Sequence, residues 1–496
     1  MYQQFGNFIN GKWSNNSENS IKVINPFNEE VLGSIPVSTE KDLNEALEAA
    51  HHAFTGWRET SPWERSKIIK QIATLIRERA DEIAKIMTLE TGKPLAESKG
   101  ETMAAADQFE WYSEETKRIY GQTIESRSLD TRLQVKYEPV GVVAAFSAWN
   151  FPILLPSRKV AAAIAAGCTI ILKPASETPG TCMHMIQACK DAGVPKGVVN
   201  FVTGKSSFIS KYLINSPIIK KVSLTGSVEV GKEILTMAAQ SVKKVSMELG
   251  GHAPVLVFND ADVNNAAIVS SNTKFRNAGQ VCISPTRFLV QEKIYDQYCE
   301  KFTENTKKLK LGNGLEEGIS MGPMANLRGL EHVDKLVQDA QSKGANLLTG
   351  GKRSKDFNKG YFYEPTVMNN VPDDADIMQT EPFGPVAPII KFHDFDEAIA
   401  KANNTNFGLA GYVFTSSLKN AHLASEKLEV GMVGVNDMLL ASAEIPFGGV
   451  KDENTIRKTL HTHQSRAEIQ TCERICFSTR RICSFTMQRV FKRDCG

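Results

Sequence analysis

The spacing of hydrophobic residues changes near residue 120 and separates two types of predicted structure. From Leu43 to Lys117, apolar residues recur every three or four positions, as in LNEALEAAHHAF and RSKIIKQIATLIRERADEIAKIMTLE. This spacing predicts helices with one buried face. The segment TSPWE supplies a Ser or Thr cap and a proline for the first turn of one helix. We therefore predict long surface helices in this region.

Short continuous apolar runs follow, separated by segments of helical length. They are VGVVAAF (140–146), TIILKP (169–174), VVNFV (198–202), KVSLTG (221–226) and KVSMEL (244–249). This order predicts repeated βαβ units and a parallel sheet. Ligands of such sheets bind beyond the carboxyl ends of the strands. We therefore expect the loops SAWNFP, KPASE, VTGK, LTGSVEVG and ELGG to converge on one crevice.

A second α/β pattern begins after Gly250. It contains the runs APVLVF, RFLVQ, PIIKF and GYVFT, together with a predicted helix from Lys293 to Lys308. No internal repeat or low-complexity linker separates the two patterns, so the boundary follows from the order of the motifs. The 496-residue length fits roughly three lobes at about 150 residues per domain.

Composition excludes several classes of function. Apolar residues make up 42% and charged residues 23% of the chain, and the net charge is +2, so nothing favours nucleic acid or membrane partners. The N-terminus resembles no signal peptide, and no apolar run is long enough to span a bilayer, so we expect a cytoplasmic protein. The nine cysteines contain no CxxC pair, which indicates a reducing compartment and no metal site.

Cys282 lies in the segment FRNAGQVCISPTRF, within a predicted loop. A structural cysteine usually lies in an apolar run because it behaves as a small hydrophobic residue. Here Gly279 and Gln280 precede the thiol, and Ser284 and Pro285 follow it, which predicts an exposed loop. This setting favours a reactive thiol.

Two loops at the predicted crevice could hold a nucleotide. Gly226, Ser227 and Gly231 in LTGSVEVG lie between a strand and a helix, where backbone amides can bind phosphate. The motif is not GxGxxG, and an ordinary strand-to-helix turn is the alternative. Lys173 and Ser176 in LKPASE end the neighbouring strand and could bind a ribose or its phosphate. A solvated loop is the alternative for these two residues.

Glu248 and Asn150 each end a predicted strand. The Glu248 carboxylate in MELGG would be partly desolvated at the sheet edge, as a general base requires, and a capping or salt-bridged glutamate is the alternative. The Asn150 amide in AWNFP could donate to a developing oxyanion. An Asx-turn before Pro152 is the alternative.

An ordered set of motifs resembles that of the NAD(P)-dependent aldehyde dehydrogenases, from around Phe5 to Lys451. The motifs are WNFP with Asn150, KPAS with Lys173, LTGSVEVG, MELGG with Glu248, FRNAGQVC with Cys282, EPFGP with Glu381 and Phe383, and PFGGVK at 446–451. The resemblance implies an α/β fold with a Rossmann-like parallel-sheet cofactor domain, a second α/β catalytic domain and a small oligomerisation element. The resemblance assigns the cofactor domain to residues 1–120 and 140–250, the catalytic domain to residues 251–445, and the oligomerisation element to a hairpin at 121–139.

The resemblance also implies roles for individual residues. Cys282 would attack the aldehyde, Asn150 and the Cys282 backbone N–H would hold the oxyanion, and Glu248 would activate the hydrolytic water. The cofactor-binding residues would be Trp149, Lys173, Ser176, Gly204, Gly226, Ser227, Gly231, Leu249, Glu381 and Phe383. Members restricted to NAD often carry an acidic residue at the position of Ser176, so we expect NADP, with NAD as a second cofactor.

Substrate class is suggested by Arg158, Arg276 and Ser442. The succinate-semialdehyde dehydrogenase branch has arginines and a serine at these places, and guanidinium groups suit a planar carboxylate. We therefore expect an aldehyde with a carboxylate at its far end, with a broad-specificity aldehyde dehydrogenase as the alternative. Ser284 stands where some members of that branch have a second cysteine, so no local disulfide switch is expected.

The resemblance ends at residue 452. The family's Ser-Gly-x-Gly-Arg-Glu stretch and its terminal strand, which joins a neighbouring subunit, are replaced by an atypical sequence at 452–496 that carries four of the nine cysteines. We expect a disordered or poorly packed tail and an unpaired sheet edge at 132–141. The homodimer or homotetramer typical of the family would then be disrupted. A catalytically silent nucleotide-binding homologue is therefore an alternative to an active enzyme.

Overall fold

The computed structural model describes residues 5–15, 18–453 and 482–485. The helices are α1 (Glu40–Glu59), α2 (Pro62–Glu78), α3 (Ala80–Thr91), α4 (Leu95–Glu115), α5 (Leu154–Ala165), α6 (Pro179–Asp191), α7 (Ser206–Asn215), α8 (Val228–Ala239), α9 (Val263–Phe275), α10 (Tyr295–Thr306), α11 (Leu327–Ser342), α12 (Phe395–Asn403) and α13 (Leu418–Lys427).

The strands fall into two large sheets and two hairpins. They are β1 (Asn7–Ile9), β2 (Lys12–Ser14), β3 (Ser20–Ile24), β4 (Val31–Pro36), β5 (Gln122–Glu125), β6 (Arg132–Val135), β7 (Val142–Phe146), β8 (Thr169–Lys173), β9 (Val199–Phe201), β10 (Ile219–Thr225), β11 (Lys244–Glu248), β12 (Ala253–Val257), β13 (Pro285–Gln291), β14 (Asn346–Thr349), β15 (Thr366–Asn369), β16 (Val386–Phe392), β17 (Ala410–Phe414), β18 (Met432–Val435) and β19 (Ile482–Phe485).

The first sheet has the strand order β11-β10-β7-β8-β9-β1-β2. The five strands β7 to β11 are those predicted from continuous apolar runs, and they pair in parallel as expected. Their central members are buried along their whole length because helices cover both faces of the sheet. Strands β1 and β2 extend the sheet in antiparallel fashion and were not predicted.

The second sheet has the order β14-β15-β16-β13-β12-β17-β18-β19, in which only β14 is antiparallel to its neighbour. Strands β12, β13, β16 and β17 match the predicted runs. The α/β fold class with two mostly parallel sheets is therefore confirmed. In the atypical tail, β19 pairs with β18 in parallel. The rest of the prediction for the tail concerns residues 454–481 and 486–496, which lie outside the described residues.

Helices α1 to α4 occupy the stretch where helical periodicity predicted them. Helix α4 keeps an exposed face that includes Met103, but it packs against both α2 and α5 and so buries more than the one face that was predicted. Its buried residues include the small side chains of Ser98, Ala105 and Ala106 as well as Phe109. Small residues allow close helix contacts on more than one face, and apolar spacing alone does not reveal them.

The hairpin of β5 and β6 forms a sheet of its own, and within the described residues it pairs with no other strand. Ile124, Leu129 and Leu133 expose their side chains on it. Its role in oligomerisation stays a prediction. No helix in the described part of the chain is long and apolar enough to cross a membrane.

Candidate active site

A cleft of about 740 Å³ lies at the carboxyl ends of strands β7, β8, β10 and β11. Four of the five loops that the sequence predicted to converge border this cleft, together with residues from the second half of the chain. The fifth loop, VTGK, does not line it, although Ser206, which follows directly, does. The predicted site residues that line it are Trp149, Asn150, Lys173, Ser176, Gly226, Ser227, Leu249, Cys282, Glu381 and Phe383. The fold thus brings most of the predicted cofactor residues and the candidate nucleophile into one cavity.

Two predicted cofactor residues, Gly204 and Gly231, lie behind the cleft wall. The Gly204 carbonyl accepts a hydrogen bond from the Ser176 hydroxyl (3.4 Å). A Cβ at Gly231 would stand 2.6 Å from the Leu249 side chain, which lines the cleft. Gly231 therefore allows α8 to approach Leu249 closely, so the structure supports a packing role for it.

Cys282 lies next to Glu248, with the Sγ atom donating to Glu248 Oε1 at 3.6 Å. Glu248 also accepts a hydrogen bond from the Thr225 hydroxyl (3.0 Å). Burial, followed by the charges of Glu248 and Glu381, raises the pKa of the Cys282 thiol, and the Arg158 charge opposes this shift. The thiol is therefore protonated near neutral pH, and the Glu248 carboxylate is placed to accept its proton.

The loop around Cys282 differs from the exposed loop that its composition predicted. Gln280 and Ser284 are each 1% exposed, whereas Cys282 itself is partly exposed. The polar side chains are buried because they find partners inside the protein. Gln280 donates from Nε2 to the Asn277 carbonyl (3.0 Å) and accepts at Oε1 from the Ala325 N–H (2.9 Å).

Asn150 is buried, and its side-chain amide donates to the Gln280 carbonyl (3.1 Å), two residues before Cys282. The Asn150 amide therefore contacts the loop of Cys282. This contact differs from the local Asx-turn that was the alternative. An amide nitrogen carries two hydrogens, so a second N–H is available to an oxygen in the cleft. The arrangement suits an oxyanion donor.

Lys173, Ser176, Gly226 and Ser227, which were predicted to bind phosphate or ribose, line the cleft, and their role stays a prediction. Ser227 caps α8 by accepting a hydrogen bond from the Val230 N–H, so the start of this helix faces the cleft. Lys173 donates to the Ser206 hydroxyl (2.6 Å), and burial lowers the pKa of Lys173 to about 8. Helix N-termini and lysines are common partners of phosphate groups.

Aromatic and acidic residues border the same cleft. The rings of Trp149 and Phe383 meet edge to face, with centroids 5.6 Å apart. Glu381 accepts a hydrogen bond from the Gly251 N–H (3.0 Å), and burial raises the pKa of Glu381 to about 8. Its carboxyl group is therefore largely protonated at neutral pH, when it can both donate and accept hydrogen bonds.

The three predicted substrate residues are not all together. Arg158 and Ser442 line one small cavity, and the Arg158 guanidinium lies 4.3 Å from the Phe447 ring centre. Arg158 is 5% exposed, although it lies on a helix. Arg276 is exposed and lies over the Phe151 ring at 5.5 Å, and it lines neither cavity.

A profile of the aldehyde dehydrogenase family matches residues 13–466. The chain belongs to the aldehyde dehydrogenase family. Its NADP-dependent succinate-semialdehyde dehydrogenase relative from Escherichia coli K12, GabD, is 42% identical over 445 residues, which cover 89% of this chain and 92% of that protein. The 3-sulfolactaldehyde dehydrogenase of Pseudomonas putida is also 42% identical, over 91% of this chain and 93% of that protein.

This aldehyde dehydrogenase also resembles solved structures over most of its length. A crystal structure of an NADP-dependent enzyme from E. coli superposes with a TM-score of 0.90 at 41% identity, covering 92% of this chain and 95% of that one. The predictions of an aldehyde dehydrogenase and of NAD(P)-dependent oxidation of an aldehyde to an acid are therefore confirmed. The individual residue roles and the cytoplasmic location stay predictions.

Sequence reasoning on this aldehyde dehydrogenase missed several residues that line the cleft, among them Ser206, Arg328 and His332. Ser206 follows the loop VTGK directly, so its position after a strand was a usable signal. Arg328 and His332 lie on α11, far from any predicted strand end, and nothing in the sequence marked them. No cluster of potential metal ligands occurs among the residues whose placement is described, and the expectation of no metal site stays a prediction.

Proposed function

We propose that this aldehyde dehydrogenase oxidises an aldehyde that carries an anionic group, with succinate semialdehyde as the representative substrate and NADP as the favoured cofactor. The observation that carries the proposal is the buried Arg158 beside Ser442, close enough to Cys282 for its charge to influence the thiol pKa. A carboxylate bound there would lie at one end of a substrate whose aldehyde carbon reaches the thiol.

The environment of Arg158 supports an anionic ligand. Among the described residues, no carboxylate forms a hydrogen bond or an ion pair with it, although the side chain is buried. A buried charge without a partner is costly, and a carboxylate that arrives with the substrate would remove that cost. The Phe447 ring supplies a cation–π contact that orients the guanidinium.

The geometry supports the following course of reaction. Glu248 takes the proton of the Cys282 thiol, and the thiolate forms a bond to the aldehyde carbon. The Asn150 side-chain N–H and the Cys282 backbone N–H hold the oxygen that becomes negative. Bound NADP would accept the hydride that leaves the former aldehyde carbon, so that a thioester remains on Cys282. After Glu248 has released the thiol proton to solvent, it removes a proton from water, the water oxygen bonds to the thioester carbon, and the C–S bond breaks to give the acid and the free thiol.

The cleft suits a dinucleotide. Lys173 and Ser176 lie at one part of it, the start of α8 lies beside them, and the Trp149 and Phe383 rings form an apolar wall. A positive ammonium and a neutral hydroxyl together accept a 2′-phosphate without repulsion. This supports NADP over NAD.

Replacing Ser176 by glutamate is expected to weaken NADP binding by at least about tenfold and to change NAD binding less. The new carboxylate would lie beside the 2′-phosphate, and a like charge at such a distance disfavours binding by more than about 1.4 kcal/mol. Titration of wild type and S176E with NADP and NAD, followed by protein fluorescence, gives both dissociation constants. Equal losses for the two cofactors would contradict the assignment of this site.

The proposed substrate class is tested with succinate semialdehyde and butanal, which share a four-carbon chain but differ in the carboxylate. Arg158→Ala is expected to lower kcat/KM for the semialdehyde by about 100-fold, since a charge-assisted hydrogen bond is worth roughly 1.5–3 kcal/mol. Oxidation of butanal should change only a few-fold. Arg276→Ala, measured in parallel, separates the contribution of the exposed arginine.

Equal losses for both aldehydes would remove the carboxylate-binding role and favour a broad-specificity enzyme. If wild-type protein binds cofactor but oxidises neither aldehyde, the catalytically silent homologue is the better description. Absorbance of the reduced cofactor measures both oxidations, and the fluorescence titration measures cofactor binding.

A further inference from the structure

A buried ion pair lies directly behind Asn150. The Lys93 ammonium and the Glu101 carboxylate are 2.7 Å apart, and their side chains are 1% and 2% exposed. Lys93 follows α3 and Glu101 lies on α4, so both come from the helical region between β4 and β5. Neither residue lines the cleft.

Each member of the pair also holds the chain around Asn150. Lys93 donates a second hydrogen bond to the Asn150 backbone carbonyl (2.7 Å), and its ammonium lies 4.4 Å from the Phe151 ring centre. The free oxygen of Glu101 accepts the N–H groups of Ile153 (3.1 Å) and Leu154 (3.2 Å) at the start of α5. The pair therefore fixes the backbone on both sides of residue 151.

A further set of hydrogen bonds connects Asn150 to the loop of Cys282. The Asn277 side chain donates to the carbonyls of both Asn150 (3.1 Å) and Gln280 (3.2 Å). The Asn150 side chain donates to the same Gln280 carbonyl. The Asn277 backbone N–H is held in turn by Glu97 (2.9 Å). The network runs without interruption from α4 to the residue two positions before the thiol.

A gain in stability of the folded protein does not by itself explain why the chain has a buried ion pair at Lys93 and Glu101. Replacing a buried ion pair by well-packed apolar residues is often neutral or stabilising, because the two charges lose their hydration when they are buried. A charge with several directed hydrogen bonds does, however, restrict the position of the groups it contacts. An oxyanion donor acts only within about 2.7–3.1 Å of the developing charge, and misplacement by about 1 Å can lower a rate by about 100-fold.

We infer that Lys93 is a positioning residue for the chemical step. Held by Glu101, it fixes the Asn150 backbone so that the Asn150 side-chain amide faces the oxygen that becomes negative during attack by Cys282. This inference rests on the proposed mechanism, in which Asn150 holds the oxyanion. It assigns a function to a side chain that contacts neither substrate nor cofactor.

A double-mutant cycle tests the inference in the full-length protein. Lys93→Met is expected to lower kcat by about tenfold to 100-fold, with KM for the aldehyde and the dissociation constant for NADP changed less than threefold. Asn150→Ala should lower kcat by about 100-fold to 1,000-fold. In the Asn150→Ala background, Lys93→Met should lower kcat by less than about threefold, because the group that Lys93 positions is already gone.

A merely structural role gives a different result, since the effects of Lys93→Met and Asn150→Ala on kcat would then multiply. Multiplying effects, or an unchanged kcat in K93M, overturn the inference. An inactive wild type would instead overturn the proposed function, so the two failures are distinguishable.

A second variant covers the case in which K93M does not fold. Lys93→Met with Glu101→Gln removes both charges and keeps an acceptor for the α5 N–H groups, and its kcat should stay as low as expected for K93M.

Glu90→Gln is the matched control. Glu90 is equally buried and accepts the N–H groups of Gly180 and Thr181 at the start of α6. It should lower the melting temperature and leave kcat within about twofold; a kcat loss like that of K93M would overturn the inference.

Discussion

Cys282→Ala is expected to abolish aldehyde oxidation, with a loss of at least about 10⁴-fold in kcat, and to leave NADP binding intact. Removal of a nucleophile leaves only binding and electrostatic contributions to the rate. The thiol lies 3.6 Å from the candidate base and is the partly exposed group in a buried loop. Absorbance of the reduced cofactor measures turnover, and fluorescence titration measures cofactor affinity.

The matched control for this variant is Cys299→Ala. Cys299 is a buried cysteine on α10 that lines neither the cleft nor the Arg158 cavity. Its replacement should reduce stability through a lost packing contact and leave the turnover per folded molecule unchanged. Retained oxidation in C282A would exclude the covalent mechanism.

Glu248→Gln is expected to lower steady-state turnover by about 10²-fold to 10⁴-fold, the usual range for loss of a general base. The first half of the reaction should suffer less than the second, because Cys282 can lose its proton to solvent whereas the thioester needs an activated water. Rapid mixing should therefore show a burst of reduced cofactor close to one equivalent per active site, followed by slow turnover. Absence of any burst would place the main function of Glu248 before the thioester.

The same variant tests the electrostatics of the thiol. The Glu248 charge and its hydrogen bond to Sγ both raise the pKa of Cys282, after the larger effect of burial. Glu248→Gln removes the charge, so the thiol pKa should fall and alkylation by iodoacetamide at neutral pH should become faster. The pH profile of alkylation should move to lower pH. A shift to higher pH would mean that Glu248 activates the thiol in the resting enzyme.

Much of the fold follows from the sequence because the central strands are buried on both faces. Strands β7 and β8 are largely apolar and buried throughout, and β9 to β11 carry shorter apolar stretches, which makes these strands visible without any structure. The short strands β1 and β2 have mixed sequences. They join the sheet because β1 pairs with β9 and β2 pairs with β1. Pairing of this kind depends on residues far away in the sequence.

The candidate site likewise contains residues that the sequence reveals and residues that only the structure reveals. Asn150, Glu248 and Cys282 could be predicted because each is part of a motif at a strand end or loop. Lys93 and Glu101 could not, since charged residues in a helical region are usually assigned to a solvated face. Only the packing of α4 against α5 shows that they are buried and that they meet.

The walls of the cleft come from both large sheets. Lys173 ends one strand of the first sheet and Ser227 follows another, whereas Cys282 and Glu381 precede strands of the second. A dinucleotide in the cleft would therefore act as a tether between the hydrophobic core of the second sheet and the cores on the two faces of the first. Because a ligand that binds only the folded state stabilises it, occupancy of the cleft should make the two sheets melt more cooperatively than they do without ligand.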